Sequence, residues 1–415
     1  MNPIVILGGG HAAAPLCAAL AEAGLGAQVH LVCGEPHLPY QRPPLSKAYL
    51  KNPAEVLQGH RGEAWYAQAG ITVHSGDPAV SIDRAAHTLT LRSGAVLPYG
   101  QLVLATGTRA RRLPQLPDGL ANVAVLRDAA DAERLRGLLA GAKSLTVLGG
   151  GFIGLEVAAT ARAQGLDVRV VEVAPRLLGR SVSAELAAHV LAVHRASGIT
   201  VDLGARLDTQ PGAFEHDGQR LQAITVNGQR LPIDLLLLGI GAEPEDTLAL
   251  AAGLHCDNGI VVDASLRSSD PAILAIGDVA RFPVSTHWAP GGGLLRLESV
   301  QNATDQARAA ALTLQGQSPV YGALPWFWSE QGALRLQMTG LMPAPDAPGV
   351  QRHRRPGPAE GSFSILHYGG ERLLCVESVN APMDHVMSRK LMEAGRNPPP
   401  AVACDPAVAL KSLLA

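Results

Sequence analysis

Two glycine-rich strings are the residues whose types and spacing most directly imply chemistry: Gly8-Gly9-Gly10-His11-Ala12-Ala13 and Gly149-Gly150-Gly151-Phe152-Ile153-Gly154. Each follows a short apolar run, Ile4-Val5-Ile6-Leu7 or Leu145-Thr146-Val147-Leu148, and each opens an alanine-rich helical stretch. That strand–turn–helix setting gives a G-x-G-x-x-G/A string its meaning. The glycines let main-chain amides approach a pyrophosphate, which rests on the positive end of the following helix. Two such turns imply two dinucleotides in one chain, with electrons passing between them. A ribose-binding carboxylate belongs near the end of the second strand of each unit. Glu172 directly follows the run Val168-Arg169-Val170-Val171 and fits that place. Glu35 is the counterpart in the first unit, in looser register because Gly34 intervenes.

Other chemistry is excluded or left open. The five cysteines, Cys17, Cys33, Cys256, Cys375 and Cys404, are dispersed and include no C-x-x-C, which argues against a redox dithiol or a thiolate metal site. They read as small buried hydrophobes. The fourteen histidines show no ligand spacing, and no metal is assigned. A net charge of −2 gives no global reason to expect nucleic acid or a membrane surface. Two basic runs, Arg109/Arg111/Arg112 and Arg352/His353/Arg354/Arg355, are either solvated surface or steering charges, with Arg308 a third candidate. Trp326 and Trp328 bracket Phe327, suggesting either core packing or a place beside a cofactor edge.

The elements that must position these groups repeat one pattern. At 415 residues the length suggests about three domains. The first unit reads as strand 4–7, helix 11–23 and strand 29–32, then a proline-stiffened loop through Glu35–Lys47, with Ser46 a candidate cap for a helix from Ala48. Buried strands follow at 102–107 and near Ile273–Ile276, the second meeting Gly277-Asp278. The second unit has strand 145–148, helix 153–164, strand 168–171, helix 184–194 and the apolar run 235–241. A helix spans about 300–314, and Gly369-Gly370 joins two strands of a hairpin. The expected domains are 1–112 and 241–318 for the first nucleotide, 113–240 for the second, and 319–415 as a separate α+β domain. The absence of a basic leader before Ile4 suggests a cytoplasmic protein.

The chain resembles the FAD-dependent NADH:ferredoxin reductases that serve haem-thiolate monooxygenases and aromatic-ring dioxygenases. The resemblance runs essentially end to end. It rests on Leu38-Pro39-Tyr40-Gln41-Arg42-Pro43-Pro44-Leu45-Ser46-Lys47, Leu104-Ala105-Thr106-Gly107, Phe152-Ile153-Gly154-Leu155-Glu156, Ala275-Ile276-Gly277-Asp278, Glu298-Ser299-Val300-Gln301-Asn302-Ala303 and Pro325-Trp326-Phe327-Trp328-Ser329. It implies an α/β fold with two Rossmann-like domains and a C-terminal α+β domain, of glutathione-reductase type.

By that resemblance the first turn binds FAD through Gly8, Gly10, His11 and Ala12, with Glu35, Arg42, Lys47, Val80, Ala105, Thr106, Arg127, Asp278, Val300 and Trp326. The second binds NADH through Gly149, Gly151, Phe152, Ile153, Gly154, Glu156, Glu172, Arg180 and Gly241. Lys47 and Glu156 form the catalytic set: the lysine stabilises charge on the reduced flavin, and the glutamate pairs with it when nucleotide is absent. Relatives often carry Asp-Glu after the second strand, where this chain has Gly34-Glu35. The implied activity moves a hydride from NADH to FAD and then single electrons to a 2Fe–2S ferredoxin feeding a terminal oxygenase, in a monomer or homodimer. Rival expectations are a redox sensor of apoptosis-inducing-factor type and an NADH oxidase. A disulfide reductase would need a cysteine pair where this chain has Pro-Pro-Leu-Ser-Lys.

Overall fold

The computed structural model describes residues 3–179, 181–284, 288–289, 292–344 and 347–414. Arg180, expected in the NADH set, lies outside them. The chain divides into two compact units: Met1–Arg42 with Leu57–Arg109 and Glu243–Phe327, and Pro43–Val56 with Ala110–Ala242 and Trp328–Ala415.

The first unit is organised by a five-stranded sheet in the order 273–275, 101–104, 4–7, 29–33, 72–75, every adjacent pair parallel. Ile4–Leu7 is its middle strand and is buried throughout, as a strand covered on both faces must be. Helix Ala13–Glu22 buries Ala13, Leu16, Cys17 and Leu20, positions three and four apart. Small residues let it pack closely against helix Val300–Leu314, which buries Ala303, Ala307, Ala310 and Ala311. An antiparallel three-stranded sheet, 79–83, 88–91 and 96–98, is appended.

The second unit repeats the parallel design in the order 200–203, 167–172, 144–148, 235–238, 123–124. Leu235–Leu238 is buried at all four positions. Helix Phe152–Ala163 follows the second glycine turn, and helix Ala184–Ala196 is capped by Ser183, whose side chain accepts from the Leu186 amide. Its C-terminal part, from Trp328 on, is built on a five-stranded sheet whose strands run in the order 326–331, 334–340, 372–379, 363–369, 350–356, with helix Pro382–Glu393. The 363–369/372–379 pair is the expected hairpin, with Gly369 opposite Arg372.

Two local expectations are corrected. Pro43–Ser46 forms a 3-10 turn instead of remaining non-helical, and Lys47, not Ser46, occupies the cap position of the short helix Ala48–Lys51, with no side-chain cap. The Ser46 hydroxyl is drawn instead to Glu156, 110 residues away in sequence. In strand Val350–Pro356, Arg355 points inward and is buried. It bonds the carbonyls of Ala403, Asp405 and Val408 and the Asp384 carboxylate. Arg355 is a structural cation, so it is removed from the steering candidates.

Candidate functional site

In the first unit the glycines of the turn divide into two kinds. Gly8 has φ +133°, and a Cβ there would collide with the main chain of Ala105. Gly10 is open: a Cβ would meet nothing nearer than Arg42 Nε at 4.0 Å. The first therefore shapes the turn, and the second leaves room for an anion against the main chain. Helix Ala13–Glu22 begins without a side-chain cap or first-turn acid, so its leading amides keep their positive end for such an anion. Helices 129–141, 184–196 and 300–314, by contrast, each begin on a capping side chain.

Glu35 sits beside this turn with both oxygens engaged. Tyr40 Oη donates to Oε2 at 2.5 Å and Arg42 to Oε1 at 2.6 Å. His11 packs edge-on against His60, 4.8 Å between ring centres, and burial pushes the His60 pKa down, with Arg61 adding to the effect. Gly277 has φ +76°, and a Cβ there would press on Ala12 at 3.2 Å and touch Ala303 at 3.7 Å. Its amide donates to the buried Gln306 Oε1 at 2.7 Å. Asp278 is thereby brought next to the Ala12 end of the turn, and its carbonyl accepts from Arg296 at 2.9 Å. Val300 is the first residue of the helix that carries Ala303, and Gln301 Oε1 accepts from the Trp326 amide. Thr106, next to the buried Ala105, donates to the Glu245 carbonyl at 2.6 Å. Val80 is half exposed on strand Ala79–Asp83. Lys47 and Arg127, from the same expected set, belong to the second unit; the Arg127 amide donates to Asp131 Oδ2.

The second turn follows the same plan. Gly149 has φ +102°, and a Cβ there would strike the Gly239 carbonyl. Gly154 has no room either, its Cβ meeting the Gly149 oxygen at 2.7 Å and Val147 Cγ1 at 3.1 Å, so helix and strand pack closely. Gly151 is open, with the Gly239 oxygen 3.9 Å away, and helix Phe152–Ala163 starts uncapped. Ile153 is exposed, and Gly241 has φ +96° with open space around it. Glu172 accepts from the Gly150 amide at 2.5 Å and the Ala174 amide at 2.6 Å. Arg176, beside the expected ribose site, is turned onto the carbonyls of Gly179 and Val182.

Glu156, one turn into this helix, is only 4% exposed. A buried carboxylate is tolerated when it is paired and fully hydrogen-bonded, and here three donors converge. Lys47 Nζ lies 2.7 Å and Ser46 Oγ 2.5 Å from Oε2, and Ser329 Oγ donates to Oε1 at 2.7 Å. Ser46 is gripped at its other end, since its carbonyl accepts from Thr160 at 3.0 Å. Behind Ser329 stand Gln331, whose amide nitrogen donates to Ser329 Oγ at 3.1 Å, and His194, 2.8 Å from Gln331 Oε1. Burial pushes the His194 imidazole below its usual pKa, partly offset by the bond to Gln331. Sequence reasoning gave Ser46 only a capping role and assigned none to Thr160, His194, Ser329 or Gln331. The one available signal was the alternation of Ser329 and Gln331 along a strand, which puts both on one face.

The thiols carry no redox signature. Cys17 and Cys33 are buried and free, each with its pKa pushed up to about 12, chiefly by desolvation. Cys33 Sγ lies under the first turn, 3.0 Å from where a Cβ on Gly9 would stand. Such thiols hold almost no thiolate at neutral pH. The basic runs are also largely compensated. Arg109 pairs with Glu243 and Glu245, Arg112 with Asp118, Arg308 with Asp305, and Arg354 with Glu185. No helix among the described residues is long and apolar enough to cross a membrane.

Comparison with known proteins agrees with this geometry. Residues 2–307 match the family model described as pyridine nucleotide-disulphide oxidoreductase, and residues 326–414 match the one described as reductase C-terminal. Rhodocoxin reductase of Rhodococcus erythropolis is 42% identical over 99% of this chain and 94% of its own length. The ferredoxin–NAD(+) reductase component of the anthranilate 1,2-dioxygenase system of Burkholderia cepacia is 38% identical over 100% of this chain and 99% of its own. The crystal structure of the ferredoxin reductase for the CYP199A2 system from Rhodopseudomonas palustris superposes with a TM-score of 0.92 at 41% identity, covering 100% of both chains. Membership implies the use of a flavin and of a pyridine nucleotide, for which two open glycine turns on uncapped helices are suited. With two parallel-sheet units, each carrying such a turn, and a C-terminal antiparallel domain, the chain belongs to the pyridine nucleotide-disulphide oxidoreductase family, as a member with a reductase C-terminal domain.

Proposed function

We propose that the protein is an NADH-dependent ferredoxin reductase that carries FAD and supplies electrons, one at a time, to a 2Fe–2S ferredoxin serving a terminal oxygenase. The observation that carries this reading is the doubled turn. Gly10 and Gly151 both leave open main chain at the N-terminus of a helix that no side chain caps. On this reading 1–112 and 241–318 hold FAD, 113–240 hold NADH, and 319–415 form the third domain. When bound, FAD supplies the exchange between two-electron and one-electron chemistry.

The protein's part is placement and charge. The first-turn amides would hold the FAD pyrophosphate, Asp278 the polar chain beyond it, and Arg42 the space over Gly10. The second-turn amides would hold the NADH pyrophosphate. The fixed charge of Glu172 favours a free 2′-hydroxyl over a 2′-phosphate, because like charges about 4 Å apart repel by about 4 kcal/mol at an effective dielectric of 20. Lys47 would supply the cation that offsets negative charge on a bound flavin, and Glu156 would be its counter-ion when nucleotide is absent. The raised thiols of Cys17 and Cys33 speak against disulfide reduction, despite the family's name.

The decisive experiment is anaerobic. The purified protein should be yellow with one FAD per chain, should bleach with NADH, and should reduce cytochrome c only when a 2Fe–2S ferredoxin is added. A colourless protein that cannot be reconstituted with FAD defeats the reading. Bleaching without ferredoxin-dependent turnover would instead point to a redox sensor.

A further inference from the structure

The Lys47–Glu156 pair is the near end of a longer buried chain that its expected role does not use. The donors run in one direction. An amide oxygen only accepts, so His194 Nε2–H donates to Gln331 Oε1 at 2.8 Å. Gln331 Nε2 donates to Ser329 Oγ at 3.1 Å, and Ser329 Oγ donates to Glu156 Oε1 at 2.7 Å. Lys47 and Ser46 complete the carboxylate from the other side, both on Oε2. Each oxygen of Glu156 thus has its own donors, one set from strand Trp326–Gln331 and one from the Lys47 turn. His194, Ser329 and Gln331 are all at most 2% exposed, so water does not substitute for any of these bonds.

The elements make this arrangement specific. His194 lies on the buried stripe of helix Ala184–Ala196 with Leu186 and Val190, at helical spacing. Ser329 and Gln331 share a strand face. Gly332 follows, where a Cβ would lie 3.7 Å from Ala159 on the helix that carries Glu156. Buried polar side chains such as these three are costly unless every member is satisfied.

We infer that Ser329, Gln331 and His194 are positioning residues that hold Glu156 by its Oε1 side and thereby set how tightly it retains Lys47. The inference rests on the reading of Lys47 and Glu156 given above. With Ser329 donating, the carboxylate charge is shared between two sides and Lys47 can leave at modest cost. Without it, the same charge falls on Lys47 and Ser46 alone, and the lysine is held more firmly.

Two readouts test this on the purified holoprotein. The first is the rate at which Lys47 is acetylated by acetic anhydride without nucleotide, followed by peptide mass spectrometry. Ser329→Ala should slow it about fivefold, the scale of one coupled hydrogen bond. Gln331→Met should slow it about twofold to threefold. Glu156→Gln should speed it, and in that background Ser329→Ala should have no further effect. The second is stopped-flow bleaching by NADH. Ser329→Ala should lower the limiting rate about fivefold while the half-saturating NADH concentration stays within about twofold. Ser329→Thr, which keeps the hydroxyl, should restore both readouts. A structural role alone would lower the melting temperature and leave Lys47 reactivity unmoved. Unchanged acetylation in Ser329→Ala and Gln331→Met, or an equal effect of Ser329→Ala with and without Glu156→Gln, overturns the inference. If the parent protein is not bleached by NADH, the functional reading falls, and the acetylation series still decides whether Ser329, Gln331 and His194 position Glu156.

Discussion

In the first glycine turn the carboxylate after the second strand, Glu35, is held by side chains, Tyr40 and Arg42. In the second turn Glu172 is held by the main chain, through the amides of Gly150 and Ala174. The strands and helices around them are built alike, with the same parallel order over four of the five strands and the same division between a glycine that shapes the turn and one that leaves space. The difference lies in what the charge braces. A side-chain brace ties a whole loop, 35–42, to the neighbourhood of Gly10. A main-chain brace fixes the turn itself and costs little side-chain entropy beyond that of the glutamate. The first arrangement suits a resident group enclosed by its loop. The second suits a nucleotide that enters and leaves a preformed turn.

The largest expected effect tests the shared part of the design. Gly8→Ala and Gly149→Ala each force a Cβ into a carbonyl at a φ that L-residues rarely adopt. Each should cost about 3 kcal/mol or more, giving insoluble protein or a melting temperature lowered by roughly 5 °C or more. If either variant melts like the parent, the turn is not shaped by that glycine.

Next come the open glycines, which should separate the two turns. Gly10→Ala should leave the melting temperature of flavin-stripped protein within about 2 °C, yet weaken FAD binding about tenfold, as expected for a lost charge-assisted amide bond. Gly151→Ala should retain flavin and raise the half-saturating NADH concentration by a similar factor. Flavin loss from Gly151→Ala would reverse the assignment of the two turns.

A smaller effect concerns the braces. The parent enzyme should prefer NADH over NADPH by on the order of 10² in kcat/KM, and Glu172→Gln should cut that ratio about tenfold. Glu35→Gln should leave it unchanged, which makes the pair a control on each other. A ratio near one in the parent would mean that Glu172 does not face the ribose.

The smallest effect lies at the surface. Ferredoxin reduction should slow as salt rises, and ferricyanide reduction should change far less, because steering is screened beyond about 8 Å at physiological ionic strength. Neutralising Arg352 and Arg354 together should raise the apparent KM for ferredoxin about threefold at most, given that Arg354 already pairs with Glu185. Stopped-flow bleaching by NADH should be unaffected. No change in either measurement would leave docking to apolar contacts or dispersed charges.

What the sequence by itself determined is what depends on residues close together in the chain. Glycines that need positive φ, apolar runs that become buried parallel strands, and the strand-end glutamates are legible because each follows from local sterics and a fixed spacing. Tertiary structure alone decided which polar groups meet. Ser46 reads locally as a helix cap, but a buried carboxylate on a distant helix is the stronger claim on its hydroxyl. Arg355 reads as one of several surface cations, until strand pairing turns it inward to four acceptors. Glu156, Ser329, Gln331 and His194 come from three separate elements, so no window of sequence contains their chain of hydrogen bonds. Burial selects such partners by satisfying polar groups in three dimensions, and sequence distance does not enter that energy.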